Sequence, residues 1–186
     1  MIEPRIKPLP SSEWTDEVKE LMGLPQHGFD AEKVSDFLST LVRHPGLYRR
    51  YAAFAGKLLM TGKLSARDRE LAILRGGWLC RASLEWGEHI AIARKNGVTT
   101  AEIEQLIKGP DHPAWTARDR AILHSVDELH STANISDTTW VELATHFDEM
   151  QLIELVMLIG AYQMIAYVQN ALRIPLREGN DGLAAR

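Results

Sequence analysis

The sequence predicts an all-α protein built as one helical bundle. Apolar residues recur at three- and four-residue spacings, and no segment keeps a clean period of two. Helix start and stop residues recur at helical distances along most of the chain. The length of 186 residues, with 45% hydrophobic and 25% charged residues, suits one domain with a full core.

The elements follow in order. After a proline-rich lead, "SSEWTDEVKELMGLP" sets Ser12 before an acidic first turn and Gly23 and Pro25 after the last. "EKVSDFLSTLVRHP" puts Val34, Phe37, Leu38, Leu41 and Val42 on one face and stops before Pro45. "GLYRRYAAFAGKLLMTGK" repeats the pattern with Leu47, Tyr51, Phe54, Leu58 and Leu59. "LSARDRELAILRGGWLC" opens on Ser65 with Asp68 three residues on, a start resembling a capping box. Gly76 and Gly77 either interrupt this helix or let another element pack closely against it. "CRASLEWGEHIAIARKNGV" is a helix of about three turns closed by Asn96 and Gly97. "TTAEIEQLIKGP" carries the capping box Thr99/Glu102 and a Gly109–Pro110 stop. "WTARDRAILHSVDELHSTANIS" repeats an earlier start, Thr116-Ala-Arg-Asp-Arg echoing Ser65-Ala-Arg-Asp-Arg, so an old duplication stays open. "SDTTWVELATHF" and "DEMQLIELVMLIGAYQMIAYVQNAL" complete the set. "REGNDGLAAR" reads as a frayed tail. The domain reading is an N-terminal extension with one short helix over 1–30, a helical domain over 31–175, and a flexible tail over 176–186.

Composition narrows the function. A formal net charge of −4 argues against nucleic acid, and the short basic cluster "RHPGLYRRY" does not change that. The N-terminus has no apolar run, so no secretory leader is expected. The longest apolar stretch carries Glu154, Gln163, Gln169 and Asn170, which fits a core helix better than a membrane span. A soluble, cytoplasmic protein is expected, with neither a nucleic acid nor a membrane as partner.

Cys80 is the one cysteine, which excludes an intrachain disulfide and a cysteine-rich zinc site. A dithiol cycle needs a second thiol, so Cys80 reads as a small apolar side chain. No nucleophile elbow or phosphate loop is present. Glu85 and His89 stand four apart on one helix face, with Leu84 and Ile92 near it. A carboxylate beside an imidazole can fix its tautomer and suits general acid/base work. A surface contact explains the spacing as well, and both readings stay open on spacing alone. The remaining histidines (His27, His44, His112, His124, His130, His146) are scattered and complete no metal site.

The run from Arg67 to Leu106, with "RELAILR", "LEWGEH" and "ARKNGVTTAEI", resembles the carboxymuconolactone decarboxylase family, which includes alkyl hydroperoxidase D. The likeness extends more loosely over Arg43 to Leu172. It implies an alkyl hydroperoxidase D-like helical bundle, oligomeric as a trimer or hexamer. The peroxidase branch has a glutamate, then Cys-x-x-Cys, then a histidine four residues after the second cysteine. Here Glu70 and His89 hold the glutamate and histidine places, while Ala82 and Glu85 stand where the cysteines would be. A thiol peroxidase is therefore disfavoured.

The decarboxylase-type branch resembles the sequence better through its Glu-Trp-x-x-His form. It implies a cofactor-independent enzyme, a carboxy-lyase or isomerase in aromatic-compound catabolism, acting on a small carboxylated or lactone metabolite. His89 is then the general acid/base, Glu85 its partner or a second acid/base, and Glu70 an orienter or proton relay. Arg75, Trp78, Trp86 and Tyr162 are the expected substrate-binding residues. The site is expected between the Ser65–Leu79 and Leu84–Lys95 helices, closed by a neighbouring subunit. Leu84 replaces the tyrosine that often precedes the Glu-Trp pair, which points to a different substrate. A non-catalytic oligomeric binding protein on the same fold is the remaining alternative.

Overall fold

The computed structural model describes residues 3–23 and 34–186. Pro25, His27 and the expected boundary at residue 30 lie outside the described residues. Among the described residues there is no strand. The helices are α1 (Asp16–Leu21), α2 (Asp36–Leu41), α3 (Pro45–Met60), α4 (Ala66–Leu79), α5 (Ser83–Lys95), α6 (Thr100–Lys108), α7 (Ala117–Thr132), α8 (Asp137–His146) and α9 (Glu149–Leu172).

Polar caps set most of the starts. Thr15, Ser35, Ser65, Thr99, Thr116, Ser136 and Asp148 each accept a backbone N–H from the first turn of the helix that follows. Thr15, not Ser12, caps α1; Ser12 falls in a 3-10 turn at Ser11–Glu13. Helix α5 has no such cap and follows a tight turn in which Arg81 takes a left-handed φ of 54°.

The core is organised around α4, which packs on α5, α7 and α9. Leu71, Ile73 and Leu74 are at most 1% exposed. Gly76 and Gly77 do not interrupt it. The helix runs through both, and a Cβ at Gly77 would stand 3.0 Å from a Glu85 carboxylate oxygen. Glycine there lets α5 bring that carboxyl against α4.

The echoed Ala-Arg-Asp-Arg segments meet in space. Arg67 donates to Asp119, 2.5 Å, and Arg118 donates to Asp68, 2.7 Å, so each motif's arginine reaches the other's aspartate. Both aspartates are buried, and pairing offsets the cost of desolvating them.

Helix α9 is long and apolar enough to cross a membrane by length and composition. One face, with Leu155, Leu158, Ile165 and Ala166, is core. Its other face leaves Met150, Ile153, Met157, Met164 and Tyr167 exposed.

A smaller apolar cluster joins Trp14, Val18 and Met22 to Val42 and Tyr48 of the bundle, so the described part of the N-terminal extension is packed rather than free. The expected frayed tail is also packed: its last residues turn over α5. The Ala185 carbonyl accepts from Trp86 Nε1 at 3.0 Å, and Asn180 donates to the Leu84 carbonyl at 3.2 Å. A buried indole needs an acceptor, and the C-terminal segment supplies it.

Candidate active site

The described helices place one polar group deep in the bundle. Glu70 of α4 is fully buried, and Nδ1 of His89 on α5 lies 2.7 Å from its Oε2. A carboxylate accepts, so Nδ1 carries the hydrogen and Nε2 is the nitrogen left for other chemistry. Arg69 donates from Nε to the other Glu70 oxygen at 3.1 Å. Tyr162 of α9 stands edge-on to the imidazole, with ring centroids 5.1 Å apart. Glu70 thus fixes the tautomer of His89, and Glu70 and Tyr162 fix the orientation of its ring.

Glu85 does not pair with His89, although they share a turn. It is 2% exposed, and neither carboxylate oxygen has a hydrogen-bond partner among the described residues. Its backbone N–H donates to Gln169 Oε1 of α9 at 3.1 Å, which fixes the start of the side chain. Desolvation, and then repulsion from Glu88, push the Glu85 carboxyl well above the usual carboxylate range. A position in the first turn of α5 favours the anion, yet the helix terminus offers at most about 2 kcal/mol and burial prevails. Burial at Glu85 thus favours the protonated carboxylic acid over the anion. Glu88, exposed at the rim, is also raised by partial desolvation, with His89 and Arg177 opposing.

Glu85, Glu88, His89, Tyr162 and Gln169 face a cavity of about 150 Å³. Phe37 and Leu38 of α2, Tyr51 and Leu59 of α3 and Ile165 of α9 close its apolar side. Among the described residues no lysine or arginine lines it. Burial and the neighbouring Tyr48 and Glu85 hold the Tyr51 hydroxyl far above its ordinary value, and burial with Glu85 and Glu70 does the same to Tyr162. Both phenols stay protonated donors across the physiological range.

The structure thus brings Glu70, Glu85, His89 and Tyr162 together. It places the other expected substrate-binding residues elsewhere. Arg75 points away from the cavity to Asp127 of α7, with paired contacts of 2.6 and 2.7 Å, and donates to the carbonyls of Leu106 and Ile107. Its guanidinium ties α4 to α7 and to the end of α6. Trp86 is fully buried under the C-terminal segment, and Trp78 packs on it with ring centroids 5.1 Å apart. Neither lines the cavity, because both serve the α5–tail contact.

Sequence reasoning missed Tyr51, Glu88 and Gln169. Tyr51 looked like one more apolar position on α3, and Gln169 served only to argue against a membrane helix. Glu88 was visible in "LEWGEH" beside the histidine. Cys80 ends α4 outside the cavity lining, 3.6 Å from His130 Nδ1, and burial with Glu85 pushes its thiol up to about 11. Of the scattered histidines, His44 caps α3, while His124 and His146 lie 3.2 Å from Asp111 and Glu142.

An all-helical bundle with a buried Glu–His pair against a small cavity is the alkyl hydroperoxidase D-like class of fold. Residues 45–128 match the model of the Carboxymuconolactone decarboxylase family. The matched segment holds Glu70, Glu85 and His89, whereas Phe37, Tyr162 and Gln169 come from outside it.

Solved structures share the fold over nearly the whole chain. An uncharacterized peroxidase-related protein from Silicibacter sp. matches with TM-score 0.76 at 18% identity, covering 98% of this chain and 93% of that one. The debrominase Bmp8, in complex with 2,3,4-tribromopyrrole, matches with TM-score 0.74 at 15% identity over 95% and 94%. A peroxidase-related protein from Ralstonia eutropha, described as an alkylhydroperoxidase AhpD core, matches with TM-score 0.73 at 15% identity over 95% of each chain. At these identities the likeness is one of fold. No curated protein matches the sequence.

Proposed function

We propose that the protein is an acid/base enzyme acting at carbon next to the carbonyl of a small metabolite, a lactone or related compound. The observation that carries this reading is the juxtaposition of an oriented imidazole with a buried, unpartnered carboxylic acid across one cavity. His89 Nε2 takes a proton from the carbon, and the C–H electron pair moves onto the carbonyl oxygen. The neutral Glu85 carboxyl donates its proton to that oxygen. The proton on His89 then returns to a different carbon, Glu85 recovers its own, and the double bond has moved. In the decarboxylating version the electron pair comes from a breaking C–C bond as CO2 leaves, and the same two groups place the proton. Glu70 is the positioning residue that holds the imidazole tautomer.

The thiol reading has little support from the residues. Ala82 and Glu85 occupy the expected thiol places, and Cys80 lies outside the lining with a thiol pushed up to about 11. Peroxide consumption that disappears in Cys80→Ser would favour it.

Self-association belongs to the same proposal. The exposed residues Met150, Ile153, Met157, Gly160, Met164 and Tyr167 fall at alternating three- and four-residue steps, the spacing by which helices pair along a seam. A second copy's α9 is the proposed occupant of this stripe. Light scattering of Ile153→Glu tests it, since an unchanged mass would place the interface elsewhere.

The test of function is exchange of carbon-bound hydrogen for deuterium in a panel of lactones and unsaturated carbonyl compounds in D2O, followed by NMR. Exchange by the wild type should fall about 10²- to 10⁴-fold in His89→Asn. Equal exchange in that variant and in Glu85→Gln would overturn the assignment.

A further inference from the structure

The cavity beside His89 does not end at its apolar wall. A second hollow of about 110 Å³ lies beyond it, lined by Leu41, Leu47 and Tyr48 from the α2–α3 side and by Met164 and Val168 of α9. Phe37, Tyr51 and Ile165 line both hollows. The two spaces therefore adjoin at a neck of three shared side chains, in which the Phe37 and Tyr51 rings stand edge to face with centroids 5.9 Å apart. The inner side of the neck is acidic and polar. The outer side presents carbon almost throughout: the Tyr48 hydroxyl is turned away to the Met22 sulfur, 3.3 Å.

We infer that the substrate is uncharged and bears a short apolar arm. Its carbonyl lies between His89 and Glu85, and the arm passes the Phe37–Tyr51–Ile165 neck into the outer hollow. The inference rests on the proposed acid/base function and narrows it to the proton-transfer version, since loss of CO2 would need a substrate carboxylate.

Three observations carry it. The inner cavity is lined by two carboxyl groups, Glu85 and Glu88, and by no lysine or arginine. A substrate carboxylate bound there would face two carboxyl groups, with Arg177 acting on Glu88 but no lysine or arginine among the described lining residues, and a buried anion without a close cation is strongly disfavoured. The expected cation, Arg75, is committed to Asp127 and two carbonyls on the far side of α4. Finally, the outer hollow shares Phe37, Tyr51 and Ile165 with the site and offers a carbon chain contact but hardly any polar partner, the lining expected around the apolar part of a small ligand. The residues that make it come largely from α2 and α9, outside the family-matched segment.

The probes are γ-butyrolactone, γ-hexalactone, γ-octalactone and octanoate, with binding to the intact protein read by ligand-observed NMR and calorimetry. Each added methylene that enters the outer hollow should tighten binding about fourfold. Octanoate should bind at least tenfold more weakly than γ-octalactone. In Leu47→Glu and in Val168→Phe the ratio of γ-octalactone to γ-butyrolactone affinity should collapse toward one. Leu47 is exposed and Val168 half-buried, so both variants are expected to fold, and circular dichroism checks this.

A flat chain-length series in the wild type would overturn the inference, as would tighter binding of octanoate. An unchanged ratio in both folded variants would do the same. These readings need no turnover, so they stand apart from the deuterium-exchange test. Exchange lost in His89→Asn together with a flat series leaves the function in place and removes the apolar arm.

Discussion

His89 and Glu85 share one turn of α5, yet the imidazole turns to Glu70 of α4, 2.7 Å away, and leaves Glu85 without a hydrogen-bond partner. The consequence is a division of labour. Glu70 is consumed in orienting the histidine, with Arg69 on its other oxygen, and Glu85 keeps both oxygens for whatever enters the cavity. Two carboxyl groups around one imidazole thus sit in different environments, one hydrogen-bonded to the ring and the other buried without a partner among the described residues.

The first prediction follows from that division. His89→Asn should lower kcat about 10²- to 10⁴-fold while leaving the melting temperature near that of the wild type. Glu70→Gln can offer Nδ1 either an acceptor or a donor, so it admits the wrong tautomer. It should lower kcat by a similar order with little change in KM, and shift the pH–rate profile. A Glu70→Gln enzyme with an unaltered pH profile would show that Glu70 is only structural.

Glu85 gives a signed pH prediction. Its native-state proton affinity is raised well above the ordinary carboxyl value of 4.5, chiefly by desolvation and secondarily by Glu88. Between 4.5 and that raised value the folded chain holds a proton that the unfolded chain has released. The stabilisation is therefore complete below 4.5 and is lost as pH rises through the window. Glu85→Gln is neutral throughout and lacks this loss. Relative to wild type, the variant should become steadily more stable as pH increases from 4.5 toward neutrality, as read by denaturant unfolding at several pH values. Parallel stability curves for the two proteins would mean that Glu85 titrates normally.

Much of this was legible in the sequence, for local reasons. Caps such as Ser65, Thr99 and Thr116 act within one turn, so residue type and spacing were enough to find them. The register linking Glu70, Glu85 and His89 came from the family pattern. What failed was non-local. Arg75 sits one turn and a half beyond Glu70 along α4, which rotates it to the opposite side, where Asp127 of α7 waits. Trp78 and Trp86 lie between Glu70 and His89 in sequence but pack beneath the C-terminal segment, which itself read as a frayed tail. Composition cannot show that an indole N–H needs a carbonyl 99 residues away. The Gly76–Gly77 choice likewise needed the partner helix to decide it.

Arg75 should report on stability and not on substrate. Its side chain is 8% exposed and makes paired bonds to Asp127, so Arg75→Gln leaves a partly buried carboxylate and two carbonyls without their donor. A cost of about 3 kcal/mol is expected, which at this chain length lowers Tm by about 6–12 °C. KM for any turned-over lactone should stay within about twofold, far less than the 10²- to 10⁴-fold expected of an acid/base group. A large rise in KM with an unchanged Tm would return Arg75 to the substrate-binding set.

The C-terminal segment offers the last test. Ending the chain at Glu178 removes the Ala185 carbonyl that accepts from Trp86 Nε1, and with it the Asn180 bond to Leu84. Trp86 is fully buried, so its N–H has no ready replacement partner, and leaving it unmade costs about 1–3 kcal/mol. Loss of Leu183 and Ala185 from the apolar surface adds to this. Because α5 carries Glu85 and His89, the truncated protein should lose activity as well as stability. Tryptophan emission should move to the red as water reaches Trp78 and Trp86. The indole's own share can be separated with Trp86→Phe, which has no N–H to satisfy. If the hydrogen bond matters, truncation should destabilise Trp86→Phe less than it destabilises the wild type. Equal losses in the two backgrounds would mean that the segment acts by apolar cover alone.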